Sequence, residues 1–223
     1  HLSQYVLYLG TNPLLSNRGI NATDTIKAIV KDPNRKMAVV DPRVTETARR
    51  ADRHLCIKPA QDVYLLLAIN AIIVQEKLYD QEFIQKKVAG FDAVATWLEQ
   101  IDRQDMARRT ELDLADIEAV AREFALSPSA AICYDLGVDH GVNTTLVSYL
   151  IRMLSLITGN VGEEGLGNLR GMIAVIGTPA GARVRIDGQA AGTVPFERMS
   201  FAGEHVVSVE QDGFEPHVRN VLV

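Results

Sequence analysis

Short apolar runs separated by amphipathic segments open the chain. The runs Tyr5–Leu9, Lys36–Val40 and His54–Ile57 each end in polar, glycine or proline residues, which predicts three strands. Between them, Thr23–Lys31 has one apolar face and predicts a helix, and a helix is also expected at Thr45–Ala51. Strands that alternate with helices in this way indicate a parallel sheet with right-handed crossovers.

Longer helices and a fourth strand follow. Asp62–Lys77 is apolar on nearly every face, so we expect this helix to be buried between layers. A strand is predicted at Ala130–Tyr134, and it leads into the loop Gly137–Gly141. Further helices are predicted at Asp80–Val88, Asp92–Ile101, Asp113–Ala125 and Thr144–Thr158.

After Gly171 the pattern changes, because lysine is absent and alternation replaces the helical period. Strands are predicted at Ala182–Ile186, His205–Val209 and Val218–Val223, with tight turns at Asp187-Gly188 and Gln211–Gly213. The expected fold class is therefore α/β. A parallel-sheet, Rossmann-like nucleotide-binding layer with helices is predicted over residues 1–171, and a small all-β, sandwich-like domain over residues 172–223.

The charge balance excludes two classes of partner. A net charge of -5 and a pI near 5.6 argue against general binding to nucleic acid or to anionic membranes. Arg49, Arg50 and Arg53 form a basic cluster, but Glu46 and Asp52 interrupt it. We interpret this cluster as a solvated helix face.

Cysteine usage and hydropathy narrow the class further. Cys56 and Cys133 each stand alone in an apolar run, which predicts that their thiols are buried. With two cysteines, the chain cannot supply the four thiolates that hold an iron-sulfur cluster. No apolar run is long enough to span a bilayer and no leader opens the chain, so a cytoplasmic location is favoured. Whether a targeting segment precedes His1 stays an open question.

Three strand ends carry candidate ligand-binding residues. Gly10 lets backbone N–H groups approach a phosphate, although the next glycine is Gly19, so the motif is not G-x-G-x-x-G. Asp41 closes the second strand, where a carboxylate accepts from ribose hydroxyls or from the N1–H and N2–H of guanine. Asp62 offers the same chemistry after the third strand. Each carboxylate alone would more often be a helix cap.

Taken together, these motifs resemble a known family. G-T-N-P at residues 10–13, D-P-R-x-T-E-T-A-x-x-A-D at 41–52 and P-A-Q-D at 59–62 are similar to the molybdopterin oxidoreductases, which include formate dehydrogenases, nitrate reductases and dimethyl sulfoxide reductases. The similarity continues through Leu136-Gly137-Val138 and Leu156–Gly162, and ends at Asn168–Gly171. It covers residues 1–171.

The resemblance implies a site for one guanine dinucleotide arm of a bis-molybdopterin guanine dinucleotide cofactor with molybdenum or tungsten. Gly10, Thr11 and Asn12 would meet its phosphates or ribose, Asp41, Arg43, Thr45, Gln61 and Asp62 would frame the nucleotide, and Leu136 and His140 would approach the pterin. His140 has an alternative role, as a loop histidine bonded to backbone. Family members often have P-G-x-D where this chain has Ala60, which places a side chain at a tight turn.

The family places an iron-sulfur module and the protein ligand to the metal outside this region. We therefore expect part of an oxidoreductase that is inactive alone and whose partners are the rest of the enzyme or electron-transfer subunits. The alternative is a non-enzymatic scaffold or surface-binding protein built on a degenerate cofactor domain. The substrate is not encoded in the residues present.

The carboxyl-terminal part resembles a PEGA domain, a small β module. The resemblance rests on Gly177–Ala182, Ile186-Asp187-Gly188, Gly192–Pro195 and Gly213-Phe214, with Ala180 in place of the glutamate for which the domain is named. It implies no catalytic group. His205 and His217 have no partner at metal-ligand spacing, so we interpret them as core or surface residues.

Overall fold

The computed structural model describes residues 3–16, 21–141, 143–161, 170–175, 181–201, 204–214 and 216–222. The chain forms two units, residues 1–161 and 162–223. The boundary predicted at Gly171/Met172 falls inside a strand, Arg170–Val175, that pairs within the second unit.

A parallel sheet of four strands organises the first unit. Its strands are β1 (Tyr5–Leu9), β2 (Lys36–Val40), β3 (Arg53–Leu55) and β4 (Ala130–Tyr134), in the spatial order β3-β2-β1-β4. All three strand pairs are parallel. The α/β class is confirmed, and the four carboxyl ends of the strands lie at one edge.

Helices cover both faces of this sheet. Leu7 and Leu9 belong to the larger core, which contains the helix Asp62–Gln75, whereas Val6 and Tyr8 pack with the helix Ala22–Lys31 on the opposite face. This alternation follows from the period of two along a strand. The helices are α1 (Pro13–Ser16), α2 (Ala22–Lys31), α3 (Asp62–Gln75), α4 (Gln81–Lys87), α5 (Phe91–Leu98), α6 (Arg103–Thr110), α7 (Leu114–Leu126) and α8 (Thr144–Ile157).

The all-round apolar character of α3 is explained by its neighbours. This helix contacts α5, α6, α7 and α8, and it is buried from Val63 to Val74 apart from the half-buried Tyr64. Only the side chains of Asp62 and Asn70 bring polar groups into this buried stretch. The prediction of a helix buried between layers is confirmed.

Several elements of the first unit differ from the prediction, beginning with the third strand, which was expected at His54–Ile57 and is Arg53–Leu55. The helix expected at Thr45–Ala51 is a single 3₁₀ turn, Ala48–Arg50, because the Asp52 N–H donates to the Met37 carbonyl at 3.0 Å and returns the chain to the sheet. The helix α6 was not predicted. Few of its residues are apolar, and its clearest local signal is Asp102, which accepts from two backbone N–H groups of the first turn.

The second unit is all-β. Its strands are β5 (Arg170–Val175), β6 (Arg183–Ile186), β7 (Gln189–Thr193), β8 (Phe196–Phe201), β9 (Glu204–Glu210) and β10 (His217–Leu222). One antiparallel sheet has the order β10-β9-β6-β7, and β5 pairs with β8. The turn at Asp187 and Gly188 has φ of 52° and 77°, as the predicted tight turn requires. Residues 177–180 of the PEGA resemblance lie outside the described residues.

A charged network ties three helices of the first unit together. Glu76 follows α3 and accepts from Arg103 of α6 at 2.7 Å and from Arg122 of α7 at 2.7 and 2.8 Å. Gln75 donates to carbonyl groups at the end of α5, including that of Leu98 at 3.0 Å. The Arg122 and Arg103 guanidinium groups lower the pKa of Glu76 to about 2.

This lowered pKa predicts an acid-sensitive contribution to stability. Because the folded pKa lies below the ordinary 4.5, the Glu76 contribution is present above that value and is lost as the pH falls toward about 2. Glu76→Gln should lower the free energy of unfolding by about 1–3 kcal/mol at pH 7 and flatten its acid dependence. Urea unfolding at several pH values measures both effects.

The matched control is Glu99→Gln, since Glu99 is exposed and follows α5. We expect this variant to keep the wild-type acid dependence. Equal pH profiles for wild type and Glu76→Gln would contradict the assigned role of the network.

Candidate functional site

The candidate site is the edge of the parallel sheet where its strands end. From β1 the chain crosses to β2 and β3 on one side, whereas β4 lies on the other side of β1. The loops after β1 and β4 therefore diverge from a crevice, and open α/β sheets bind their ligands at this type of position. Loops that carry all ten predicted site residues follow these four strands.

The loops after β1 and β4 come into backbone contact at two glycines. The Gly137 N–H donates to the Gly10 carbonyl at 3.0 Å. A methyl group added at Gly137 would lie 2.6 Å from the Gly10 Cα, and one added at Gly10 would lie 2.7 Å from the Val138 nitrogen. Gly10 also has φ of +55°, a conformation that favours glycine. Both positions therefore exclude a side chain.

The glycine contact predicts a large difference between two variants of one loop. Gly137→Ala must displace the Gly10 backbone and should lower the free energy of unfolding by about 1–3 kcal/mol or more. Gly141→Ala is the control, because its methyl group would meet its nearest atom at an ordinary 3.8 Å. Thermal and urea unfolding should separate the two variants, and equal stability would contradict the close approach.

The loop after β1 is bonded to the loop after β2. The Asn12 Nδ2 donates to Glu46 at 2.7 Å, and the Asn12 Oδ1 accepts from the Thr47 hydroxyl at 2.7 Å. The hydroxyl of Thr47 also accepts from the Leu14 N–H at 3.3 Å. The side chain of Asn12 is thus directed to the neighbouring loop.

Two backbone donors remain in the first loop. Within the part of the chain that the structure describes, the backbone N–H groups of Thr11 and Asn12 have no hydrogen-bond acceptor. Adjacent backbone N–H groups at the end of a parallel strand form a binding position for an anion. Gly10 directly precedes these two residues and has no side chain. Its own N–H donates to the Val40 carbonyl at 3.1 Å.

Two carboxylates occupy the ends of β2 and β3. Asp41 accepts from the Arg43 N–H at 2.8 Å through one oxygen and is half-buried. Asp62 is the first residue of α3 and is 9% exposed. Burial raises the pKa of Asp62, and the nearby charge of Asp41 raises it further. The charge of Asp41 thus acts on Asp62, and the roles of the two carboxylates toward a nucleotide stay predictions.

Side chains in β3 and directly after it bond to the backbone of the Asp41 loop. A ring nitrogen of His54 lies 2.9 Å from the Asp41 carbonyl, and the Cys56 thiol donates to the Pro42 carbonyl at 3.1 Å. Both cysteines, Cys56 and Cys133, are exposed, so the prediction of buried thiols is wrong. Cys56 follows the edge strand β3, and Cys133 is the last but one residue of the edge strand β4.

The remaining predicted residues occupy the rim of the site. Thr45 is buried and its hydroxyl accepts from the Ala48 N–H at 3.1 Å, whereas Arg43 is exposed. Gln61 is half-buried and precedes α3. Leu136 is 51% exposed and lies with the exposed His140 on a 3₁₀ turn after β4. Their roles toward a ligand stay predictions.

Ala60 stands where family members often have the glycine of P-G-x-D. Its φ is +62°, a left-handed conformation that favours glycine and is strained for alanine. The turn nevertheless forms, and Gly141 of the β4 loop faces it, because a methyl group added there would lie 3.8 Å from the Ala60 Cβ. The β3 and β4 loops therefore approach each other at this rim.

Sequence reasoning missed Thr47 and Gly137 as residues of the site. Thr47 is fully buried and bonds the first loop, and Gly137 packs against the Gly10 backbone. Both lie inside motifs used for the resemblance, T-E-T and Leu136-Gly137-Val138. Their partners are distant in sequence, so the motifs could indicate these positions but not their contacts.

Comparison with known proteins decides the family. A model of the molybdopterin oxidoreductase domain matches residues 2–216. The chain belongs to the molybdopterin oxidoreductase family. This match continues into the second unit, well past the resemblance drawn from residues 1–171.

Several characterised members of the molybdopterin oxidoreductase family resemble the chain. Formate dehydrogenase H of Escherichia coli is 31% identical over 75% of this chain and 22% of its own length. The assimilatory nitrate reductase catalytic subunit of Bacillus subtilis is 30% identical over 82% of this chain and 24% of its own. Acetylene hydratase from Pelobacter acetylenicus superposes with a TM-score of 0.66 at 27% identity, covering 73% of this chain and 22% of that structure. The chain thus spans under a quarter of the length of these relatives.

Molybdopterin oxidoreductases bind molybdopterin guanine dinucleotide with molybdenum or tungsten, and the residues of this chain fit that group. Among the described residues, the Thr11 and Asn12 N–H groups have no acceptor and could donate to a phosphate, and the carboxylates of Asp41 and Asp62 could accept from a nucleoside. No group of three or more histidine, cysteine, aspartate or glutamate residues among those described could hold a metal ion. No described helix is both long and apolar enough to cross a membrane.

Proposed function

We propose that this chain is the cofactor-binding portion of a bis-molybdopterin guanine dinucleotide oxidoreductase of formate dehydrogenase-like type, and that it holds one guanine dinucleotide arm. The strand order carries the proposal. Read across the sheet, β4, β1, β2 and β3 end in Leu136 and His140, the Gly10 loop, Asp41 and Asp62. Pterin, diphosphate, ribose and guanine follow one another in the same order along the cofactor.

The diphosphate would lie in the crevice between β1 and β4. The N–H groups of Thr11 and Asn12, which have no acceptor among the described residues, would donate to it, and the contact between Gly10 and Gly137 holds the two loops beside it. Hydrogen bonds from backbone amides to a phosphate are charge-assisted and stronger than neutral ones. Arg43 is exposed at the next loop and supplies a positive charge near the nucleotide.

The nucleoside would extend toward β3. Asp41, at the end of β2, is placed to accept from the ribose hydroxyls, as carboxylates in this position do in other α/β nucleotide sites. Asp62 lies one strand further and is assigned to the N1–H and N2–H of guanine. Gln61 and the Thr45 turn border this part of the site.

The pterin would lie toward the loop after β4, beside Leu136 and His140. The bound metal-pterin group supplies the oxidation-reduction chemistry, and the residues of this chain bind and orient it. The partners proposed are the rest of the oxidoreductase and its electron-transfer subunits. The substrate is set outside the residues described.

For the second unit we propose a PEGA-like β module without a catalytic role, beginning at Met172. The left-handed turn at Asp187 and Gly188 and the antiparallel strands on either side support this assignment. The family match that reaches residue 216 offers the competing assignment, in which these strands belong to the oxidoreductase domain.

The assignment of Asp62 predicts a base preference. The whole chain should bind GDP more tightly than ADP by about tenfold or more, because adenine has an unprotonated N1 that repels a carboxylate, and one charge-assisted pair contributes about 1.5–3 kcal/mol. Affinity itself is expected only in the millimolar range, since much of the cofactor is missing. Ligand-observed NMR measures both dissociation constants.

Two isosteric variants separate the carboxylates. Asp62→Asn should remove the preference for GDP over ADP, whereas Asp41→Asn should weaken both nucleotides alike, because ribose is common to them. Equal binding of GDP and ADP by the wild type, unchanged in both variants, would contradict the guanine site. Thermal unfolding of each variant checks that the fold is kept.

Asp62 also predicts a pH dependence. Its folded pKa is raised above the ordinary 3.8 by burial, so the carboxyl becomes protonated earlier as the pH falls. A protonated Asp62 loses one acceptor oxygen, so GDP affinity should decline as the pH falls from 7 toward that raised value. Asp62→Asn should lack this decline, and the ratio of the two profiles removes the titration of GDP itself. Parallel profiles would contradict the assignment.

A further inference from the structure

Asn12, Glu46 and Thr47 form a cluster, here called the Asn12 clasp, that joins the first two loops of the site. Asn12 Nδ2 donates to the Glu46 carboxylate at 2.7 Å. Asn12 Oδ1 accepts from the Thr47 hydroxyl at 2.7 Å and from the Thr47 N–H at 3.3 Å. Both ends of the amide are therefore occupied by one neighbouring loop.

The hydroxyl of Thr47 is the centre of this clasp. Thr47 is 0% exposed, and its hydroxyl donates to Asn12 while accepting from the Leu14 N–H at 3.3 Å. The residues it joins lie on either side of Pro13, at the point where the first loop enters α1. A buried group that bonds both sides of a turn fixes the path of the turn.

The clasp determines which groups of the first loop can meet a ligand. Because the Asn12 side chain is committed to Glu46 and Thr47, the loop presents its backbone N–H groups and not its amide side chain. The Asn12 carbonyl accepts from the Leu15 and Ser16 N–H groups at 3.0 and 2.9 Å, which anchors the following turn as well. The N–H groups of Thr11 and Asn12 are held between these fixed points.

We propose that Thr47 is a positioning residue for the diphosphate. Its buried hydroxyl holds Asn12 so that the Thr11 and Asn12 N–H groups converge on the phosphate. Neither of these N–H groups contacts Thr47 itself. The inference rests on the proposed function, since it requires a nucleotide diphosphate in the crevice. It adds a role for a residue that would contact neither the nucleotide nor the pterin.

The test measures affinity for GDP and for guanosine with the whole chain, using wild type, Thr47→Val and Thr47→Ser. Valine keeps the shape of threonine but has no hydroxyl, whereas serine keeps the hydroxyl. Thr47→Val should weaken GDP about tenfold, which corresponds to one or two misplaced charge-assisted bonds, and leave guanosine affinity unchanged. Thr47→Ser should keep the wild-type ratio of GDP to guanosine affinity.

Thr110→Val is the matched control for a general loss of stability. Thr110 is also 0% exposed, and its hydroxyl donates to the Met106 and Ala107 carbonyls of α6. This variant should lower the melting temperature without changing the ratio of GDP to guanosine affinity. A merely structural role of Thr47 would leave the ratio of GDP to guanosine affinity unchanged.

The outcomes separate this inference from the function on which it rests. If wild type binds GDP but Thr47→Val binds it equally well, or loses GDP and guanosine in equal proportion, Thr47 does not position the phosphate donors. If wild type binds neither compound, the nucleotide site itself is refuted, and the inference is refuted with it. A selective loss of GDP that serine restores supports both.

Discussion

The contact between Gly10 and Gly137 is the constraint on which the candidate site depends. It joins the ends of β1 and β4 at the one place in the sheet where neighbouring loops diverge. A side chain at either position would overlap backbone atoms and force the two loops apart. The two loops therefore pack backbone against backbone, and the polar groups of the site lie on the loops beside this contact.

The backbone and the side chains of the site offer different groups to a ligand. The backbone N–H groups of Thr11 and Asn12, which have no acceptor among the described residues, follow β1, while the carboxylates of Asp41 and Asp62 follow β2 and β3. A nest of amides suits a diphosphate, whose charge is spread over several oxygens, and a carboxylate suits the adjacent N–H donors of a base. The buried polar contacts of Thr45 and Thr47 hold the loops and leave these groups free.

Much of the first unit could be predicted from local pattern. β1, β2 and β4 have the bounds read from their apolar runs, and α3 is buried as its composition requires. The loops with candidate residues were placed correctly because parallel strands bring their ends to one edge. The local sequence was sufficient wherever burial alone determines the structure.

The failures have physical causes that span the sequence. The Thr45–Ala51 segment has a helical pattern, but the Asp52 bond to Met37 allows only one turn. The roles of Thr47 and Gly137 depend on partners in other loops, which no window of sequence contains. Ala60 adopts the left-handed φ that the family's glycine permits, so the departure in P-A-Q-D changes strain and not the course of the turn.

The central claim is that the four strand ends form one nucleotide site, and amide chemical-shift mapping tests it most directly. The ¹⁵N-labelled chain would be titrated with GDP, and the shift of each assigned backbone amide followed. We predict that perturbed amides cluster in residues 10–12, 41–47, 60–62 and 136–141. Perturbations confined to α4 and α5 or to the second unit, with these four segments unchanged, would contradict the claim.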